Sequence, residues 1–178
     1  MMDLNEFTLK YIREKNLKWM EEKRLEWVPL LSEFLSQVIE GRSVFIITDY
    51  KRKWLSQYIL NKINNFQDFK PSFVPFFDLI SLVPQIENAK TTEHFDLIED
   101  MLNITFNENY IFWYIGVETP MLKFARRKEN SFFWIMDMDL HKNFFLKSID
   151  ENLDLKLIHL VNLLNETLKG VIFGEVEI

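Results

Sequence analysis

Apolar and polar positions alternate along this chain with two different periods. Tyr110-Ile-Phe-Trp-Tyr-Ile-Gly116 and Ser131-Phe-Phe-Trp-Ile-Met-Asp137 are unbroken apolar runs, rich in aromatic and β-branched residues and closed by a turn residue. A strand buried on both faces has this pattern, and it belongs to a parallel sheet covered by helices. Val44-Phe-Ile-Ile47 predicts an earlier strand, with Thr48-Asp49 capping the helix that follows through Trp54, Leu55, Tyr58, Ile59 and Ile63. Ser72-Phe-Val-Pro-Phe-Phe77 predicts a further strand, which its internal Pro75 places at an edge or a bulge.

Helical spacing fills the intervals. Leu4, Phe7 and Tyr11 start one helix, and Trp27, Leu30, Leu31, Phe34, Leu35 and Val38 keep the i, i+3, i+4, i+7 order of another, in which Pro29 is a kink or a first-turn residue and Gly41 the end. A short helix is expected from Leu79 to Ile86, and a longer one carries Phe95, Ile98, Met101, Leu102 and Thr105. Thr119-Pro120 is a cap and first-turn pair. Ser148-Ile-Asp-Glu151 reads as a capping box for a last helix with Leu153, Leu157, Leu160, Leu164 and Leu168, ended by Gly170. The alternation predicts a doubly wound α/β fold, Rossmann-like in three layers, with a mainly parallel sheet of four to five strands. One domain is expected over 1–178, with N-terminal helices in 1–41 packed on the core or at a subunit interface.

Composition removes whole classes of function. With 178 residues the chain can bury roughly 70% of its unfolded surface. It has no Cys, hence no thiolate chemistry, and its four Gly cannot write a dinucleotide fingerprint or a P-loop. No cofactor is therefore expected. A net charge of −6 repels a phosphate backbone, so direct DNA binding is disfavoured, although Lys51-Arg-Lys53 and Arg126-Arg-Lys128 are small basic clusters. No apolar run is long enough to span a membrane, and Met1-Met-Asp-Leu-Asn-Glu lacks signal-peptide order, which leads us to expect a cytoplasmic protein.

In a doubly wound sheet, chemistry sits at the carboxyl ends of the strands. The catalytic candidates there are Asp137 and Asp139, a carboxylate pair able to hold Mg2+ against a phosphate, with Asp49 and Asp78 as further ligands. No Gly-rich or Ser/Thr-rich phosphate loop accompanies them, and Asp also caps helices at such positions. His94, His141 and His159 are scattered, and neither Ser43 nor Ser131 follows a strand as a nucleophile would.

Arg24-Leu-Glu-Trp-Val-Pro-Leu-Leu31, Leu97-Ile-Glu-Asp-Met-Leu-Asn103, Phe112-Trp-Tyr-Ile-Gly116 and Ser131-Phe-Phe-Trp134 resemble the HobA family of bacterial replication-initiation proteins, nearly from end to end. The resemblance implies a sugar-isomerase (SIS) type α/β fold and a homotetramer that binds the N-terminal region of the initiator DnaA and promotes its assembly at the origin, reaching DNA only through DnaA. It implies no enzyme and no metal. A phosphosugar-binding or phosphosugar-processing SIS-type enzyme, or a Mg-dependent phosphatase using Asp137 and Asp139, is the alternative. For partner contact the aromatic and basic cluster Tyr50, Arg52, Lys53 and Trp54 is the candidate, and for a subunit interface Trp27, Phe34 and Val38.

Overall fold

The computed structural model describes residues 1–64 and 74–178. The elements in order are β1 (Met2–Asp3), α1 (Leu4–Glu14), α2 (Met20–Ile39), β2 (Ser43–Thr48), α3 (Lys53–Ile63), β3 (Phe76–Asp78), α4 (Leu79–Leu82), α5 (Thr92–Phe106), β4 (Tyr110–Gly116), α6 (Pro120–Ala125), β5 (Phe132–Met136), β6 (Phe144–Leu146), α7 (Leu153–Ile172) and β7 (Val176–Glu177). Single 3-10 turns at Tyr50–Arg52 and Pro84–Asn88 precede α3 and follow α4.

The central sheet has the order β3-β2-β4-β5-β6 and every neighbouring pair is parallel. Its strands are apolar on both faces, as the unbroken runs require. Val44, Ile46, Ile111, Trp113, Ile115, Phe132, Trp134 and Phe144 face α1, α2, α3 and α7. Phe45, Ile47, Tyr110, Phe112, Tyr114 and Ile135 face α4, α5 and α6. The order reverses between β2 and β4: β2 leads outward to β3, and β4 leads the other way through β5 to β6. The carboxyl ends of β2 and β4 therefore flank the crevice where such sheets place their ligands.

Helix α2 shows why the N-terminal residues are helical. Its apolar stripe, Trp27, Leu31, Phe34, Leu35 and Val38, is buried on the sheet. The Trp27 ring lies 5.2 Å from Phe144 and 5.5 Å from Trp134, and Phe34 stacks on Phe132 at 4.5 Å. This corrects the interface expectation, because Trp27, Phe34 and Val38 cover their own sheet and offer no side chain to a second subunit. Pro29 is internal to α2 and exposed, and the carbonyl it leaves unpaired belongs to Leu25, also exposed and within reach of water. Gly41 takes a φ of 86° and ends the helix as expected.

Several boundaries differ from expectation. Strand β3 starts at Phe76, while Ser72 and Phe73 lie outside the described residues. The edge position expected from Pro75 holds. Strand β6 fills a stretch without a clear pattern, since three residues beside a covered edge need only Phe144 and Leu146 to point inward. Helix α7 begins after Asn152 with no side-chain cap, and Ser148 bonds to Asp137 instead of closing a capping box. Gly170 does not end α7, which runs to Ile172. A Cβ at Gly170 would lie 2.6 Å from the Val176 side chain, so the glycine lets β7 fold back against the helix. Strands β1 and β7 pair the two ends of the chain in a separate two-stranded sheet, which a two-residue pairing cannot announce through periodicity.

Candidate functional site: the crevice at the sheet's switch point

Strand β2 ends at Thr48, and Asp49 turns the chain into the 3-10 turn that leads to α3. The Asp49 carboxylate accepts the backbone N–H of Arg52 at 3.1 Å and the guanidinium of Arg52 in a buried ion pair. It also reaches across the crevice to accept the backbone N–H of Val117, just past β4, at 2.9 Å. Gly116 makes that reach possible, because a Cβ there would sit 2.7 Å from the carboxylate. Strand-end backbone N–H groups beside a cation are what a doubly wound sheet offers to a phosphate. In this chain those donors converge on a carboxylate of its own.

Beside Asp49 a hollow of about 200 Å³ is lined by Thr48, Tyr50, Ile80, Ile86, Ala89 and Met121, among others. Its floor is apolar. Lys53 and Glu87 form an ion pair at the rim, and the Lys53 ammonium lies 5.4 Å from the Tyr50 ring. Tyr50 is 84% exposed and Trp54 38%, whereas Arg52 is only 5% exposed. The four candidate contact residues therefore divide. Tyr50 and Lys53 lie together at the rim of the hollow, Trp54 is exposed on α3, and Arg52 is removed from the set because its charge is buried against Asp49. The sequence shows aromatic and basic side chains together but not which of them the turn folds inward.

Tyr114, on β4, donates its hydroxyl to the Val117 carbonyl and shares a hydrogen bond with Thr119 at 2.9 Å. Burial pushes that hydroxyl up to about 12, so it stays protonated and acts as a brace. Thr119 precedes Pro120 at the start of α6 as expected, but its side chain serves Tyr114 and does not cap the helix.

The carboxylate pair of the alternative Mg-dependent phosphatase, Asp137 and Asp139, belongs to no metal-binding group among the described residues. Asp137 takes a φ of 64° and accepts both the backbone N–H, at 2.8 Å, and the hydroxyl of Ser148, which hold its carboxyl below the usual range. It ties the end of β5 to the chain that leads into α7. Asp139 lies beside a different groove, with Lys23, Glu26 and His141, and Asp78 accepts the Ser81 hydroxyl at 2.6 Å. Among the described residues no three His, Asp or Glu side chains are grouped to hold a metal ion. His159 has its pKa lowered by burial, and His94 accepts the Lys90 backbone N–H at 3.4 Å. Of the basic clusters, Arg127 pairs with Asp96 and Glu99, while Lys128 lies 4.2 Å from the Tyr110 ring. Among the described residues no helix is long and apolar enough to cross a membrane.

Known proteins share this architecture. The DNA replication regulator protein HobA of Helicobacter pylori (strain ATCC 700392 / 26695) is 28% identical over 149 residues, 83% of this chain and 79% of that protein. The crystal structure of a HobA–DnaA (domain I–II) complex from H. pylori contains a chain that is 25% identical, matched over 100% of both chains with a TM-score of 0.75. The crystal structure of H. pylori HobA gives a TM-score of 0.78 at 23% identity, covering 100% of this chain and 99% of that one, and this second likeness shows the fold. The family described as HobA, DNA replication regulator, matches residues 1–178, and the chain belongs to that family.

Proposed function

We propose that this protein regulates chromosome replication without catalysing a reaction: it binds the N-terminal region of DnaA and, as a homotetramer in the cytoplasm, promotes DnaA assembly at the replication origin. Membership of a family of DNA replication regulators supports the first part, and the complex of its H. pylori relative with DnaA (domain I–II) supports the choice of partner. The observation within this chain that carries the non-enzymatic reading is the Asp49 carboxylate, which occupies the donors a phosphorylated substrate would need. A phosphosugar would have to displace a buried ion pair to enter, and breaking such a pair costs about 3–5 kcal/mol.

Tyr50, Lys53 and Trp54 are the proposed contacts, since Tyr and Trp are among the side chains that dominate protein interfaces and both are exposed here, with Lys53 beside Tyr50. A tetramer would hold several DnaA molecules at high local concentration and so favour their ordered contact on DNA. DNA is reached only through DnaA, in keeping with a net charge of −6. A mobility-shift series on origin DNA at varied salt tests this. The protein alone gives no shift, and it enhances the shift that DnaA produces. A shift by the protein alone, with a steep salt dependence, contradicts the reading.

A further inference from the structure

Helix α5 carries two apolar faces, and the fold uses one. Phe95, Ile98 and Leu102 are buried on the sheet. Leu97, Met101 and Ile104, at i, i+4 and i+7, form a second stripe that points outward and is 69%, 43% and 84% exposed. The stripe is about 10 Å long, two helical turns. Scattered single apolar residues on a surface need no explanation, but three aligned on one helix face form a continuous patch. Along one edge of it run Glu93, Asp96 and Asp100 at i, i+3 and i+7, all exposed. Asp96 is answered by Arg127. Glu93 and Asp100 have no cation in contact among the described residues.

We infer that the outer face of α5 docks an amphipathic helix of a protein partner, with an apolar stripe seated on Leu97, Met101 and Ile104 and Lys or Arg side chains set against Glu93 and Asp100. Three anchors at this spacing match the i, i+3 or i+4, i+7 repeat with which an amphipathic helix is recognised. Charge favours a basic partner over an antiparallel second copy. A second copy of this helix, packed antiparallel about a two-fold axis crossing the stripe, would meet the same edge of its mate and bring the two acidic rows together. Like charges facing across an interface oppose association, whereas a basic edge is attracted by both the row and the net charge of −6. The inference rests on the partner-binding reading above only for the identity of the chain that carries the helix.

The test titrates the full-length protein with three probes: the N-terminal region of DnaA, a designed helical peptide with a Leu stripe bordered by Lys, and its counterpart bordered by Glu. The variants are Leu97→Ser with Ile104→Ser, both at exposed positions, and Glu93→Lys with Asp100→Lys. Light-scattering mass is followed throughout. We expect the Lys-bordered peptide and the DnaA region to bind the parent protein and the Glu-bordered peptide to fail. The serine pair weakens binding about tenfold or more without changing the mass, and the lysine pair weakens it most at low salt. Unchanged affinity of the serine pair for both binding probes overturns the inference, as does a fall in mass with affinity intact, which would make the stripe a subunit contact. If the parent binds the Lys-bordered peptide through this stripe but not the DnaA region, the proposed function fails and the docking face stands.

Discussion

Asp49 joins three parts of the molecule with one carboxylate: the end of β2, the turn into α3 through Arg52, and the end of β4 through Val117. Asp49→Ala leaves the Arg52 guanidinium buried and unpaired. Urea unfolding should show a loss of about 3–5 kcal/mol. The same variant vacates an anion position, so phosphate should raise its melting temperature and leave that of the parent unchanged. An equal response of the two proteins would mean that the donors are not an anion cradle. Gly116→Ala presses a Cβ on the same carboxylate, with an expected loss of about 1–3 kcal/mol. Two tyrosines make a pH prediction. Burial raises the hydroxyls of Tyr110 and Tyr114 to about 12, whereas in the unfolded chain they ionise near 10. Between those values the unfolded state has lost protons that the native state keeps. The stabilisation is therefore complete below pH 10 and declines as pH rises toward 12. Urea unfolding across this range checks the decline, and Tyr114→Phe should reduce it to the share that Tyr110 contributes. The sequence marked Asp49 as a cap, which it is. Its second role needed Val117, 68 residues away, and no local pattern carries that information.

At the scale of elements, legibility follows the length of the apolar pattern. The strands around Trp113 and Trp134 and helices α2, α5 and α7 are readable because each repeats its period over several residues. Strand β6 and the paired ends β1 and β7 span two or three residues and are specified by what they pack beside. Cap signals were less dependable, because Ser, Thr and Asp have several partners within reach. Ser148 went to Asp137 and Thr119 to Tyr114. Helix α2 gives the clearest test at this scale. Trp27→Ala removes a ring packed on Phe132, Trp134 and Phe144, and should destabilise the fold by about 3–5 kcal/mol in urea unfolding. Under conditions where the variant stays folded, its light-scattering mass should equal that of the parent. A lower mass would return Trp27 to a subunit interface.

The whole molecule is a parallel sheet whose crevice donors are occupied by its own carboxylate and whose rim and α5 face carry exposed aromatic and apolar side chains. The fold class was legible because both faces of the strands are apolar. The partner was not, since a docking surface requires no periodicity and no reactive group, and only a resemblance to known proteins suggests it. The central claim is that this crevice no longer serves a small phosphorylated substrate and that the protein acts by binding DnaA. Calorimetric titration of the full-length protein with the N-terminal region of DnaA from the same cell, with light-scattering mass recorded on the same sample, tests it most directly. The account predicts saturable binding at one DnaA region per subunit of a tetramer. A folded protein that gives no heat and no increase in mass would contradict it.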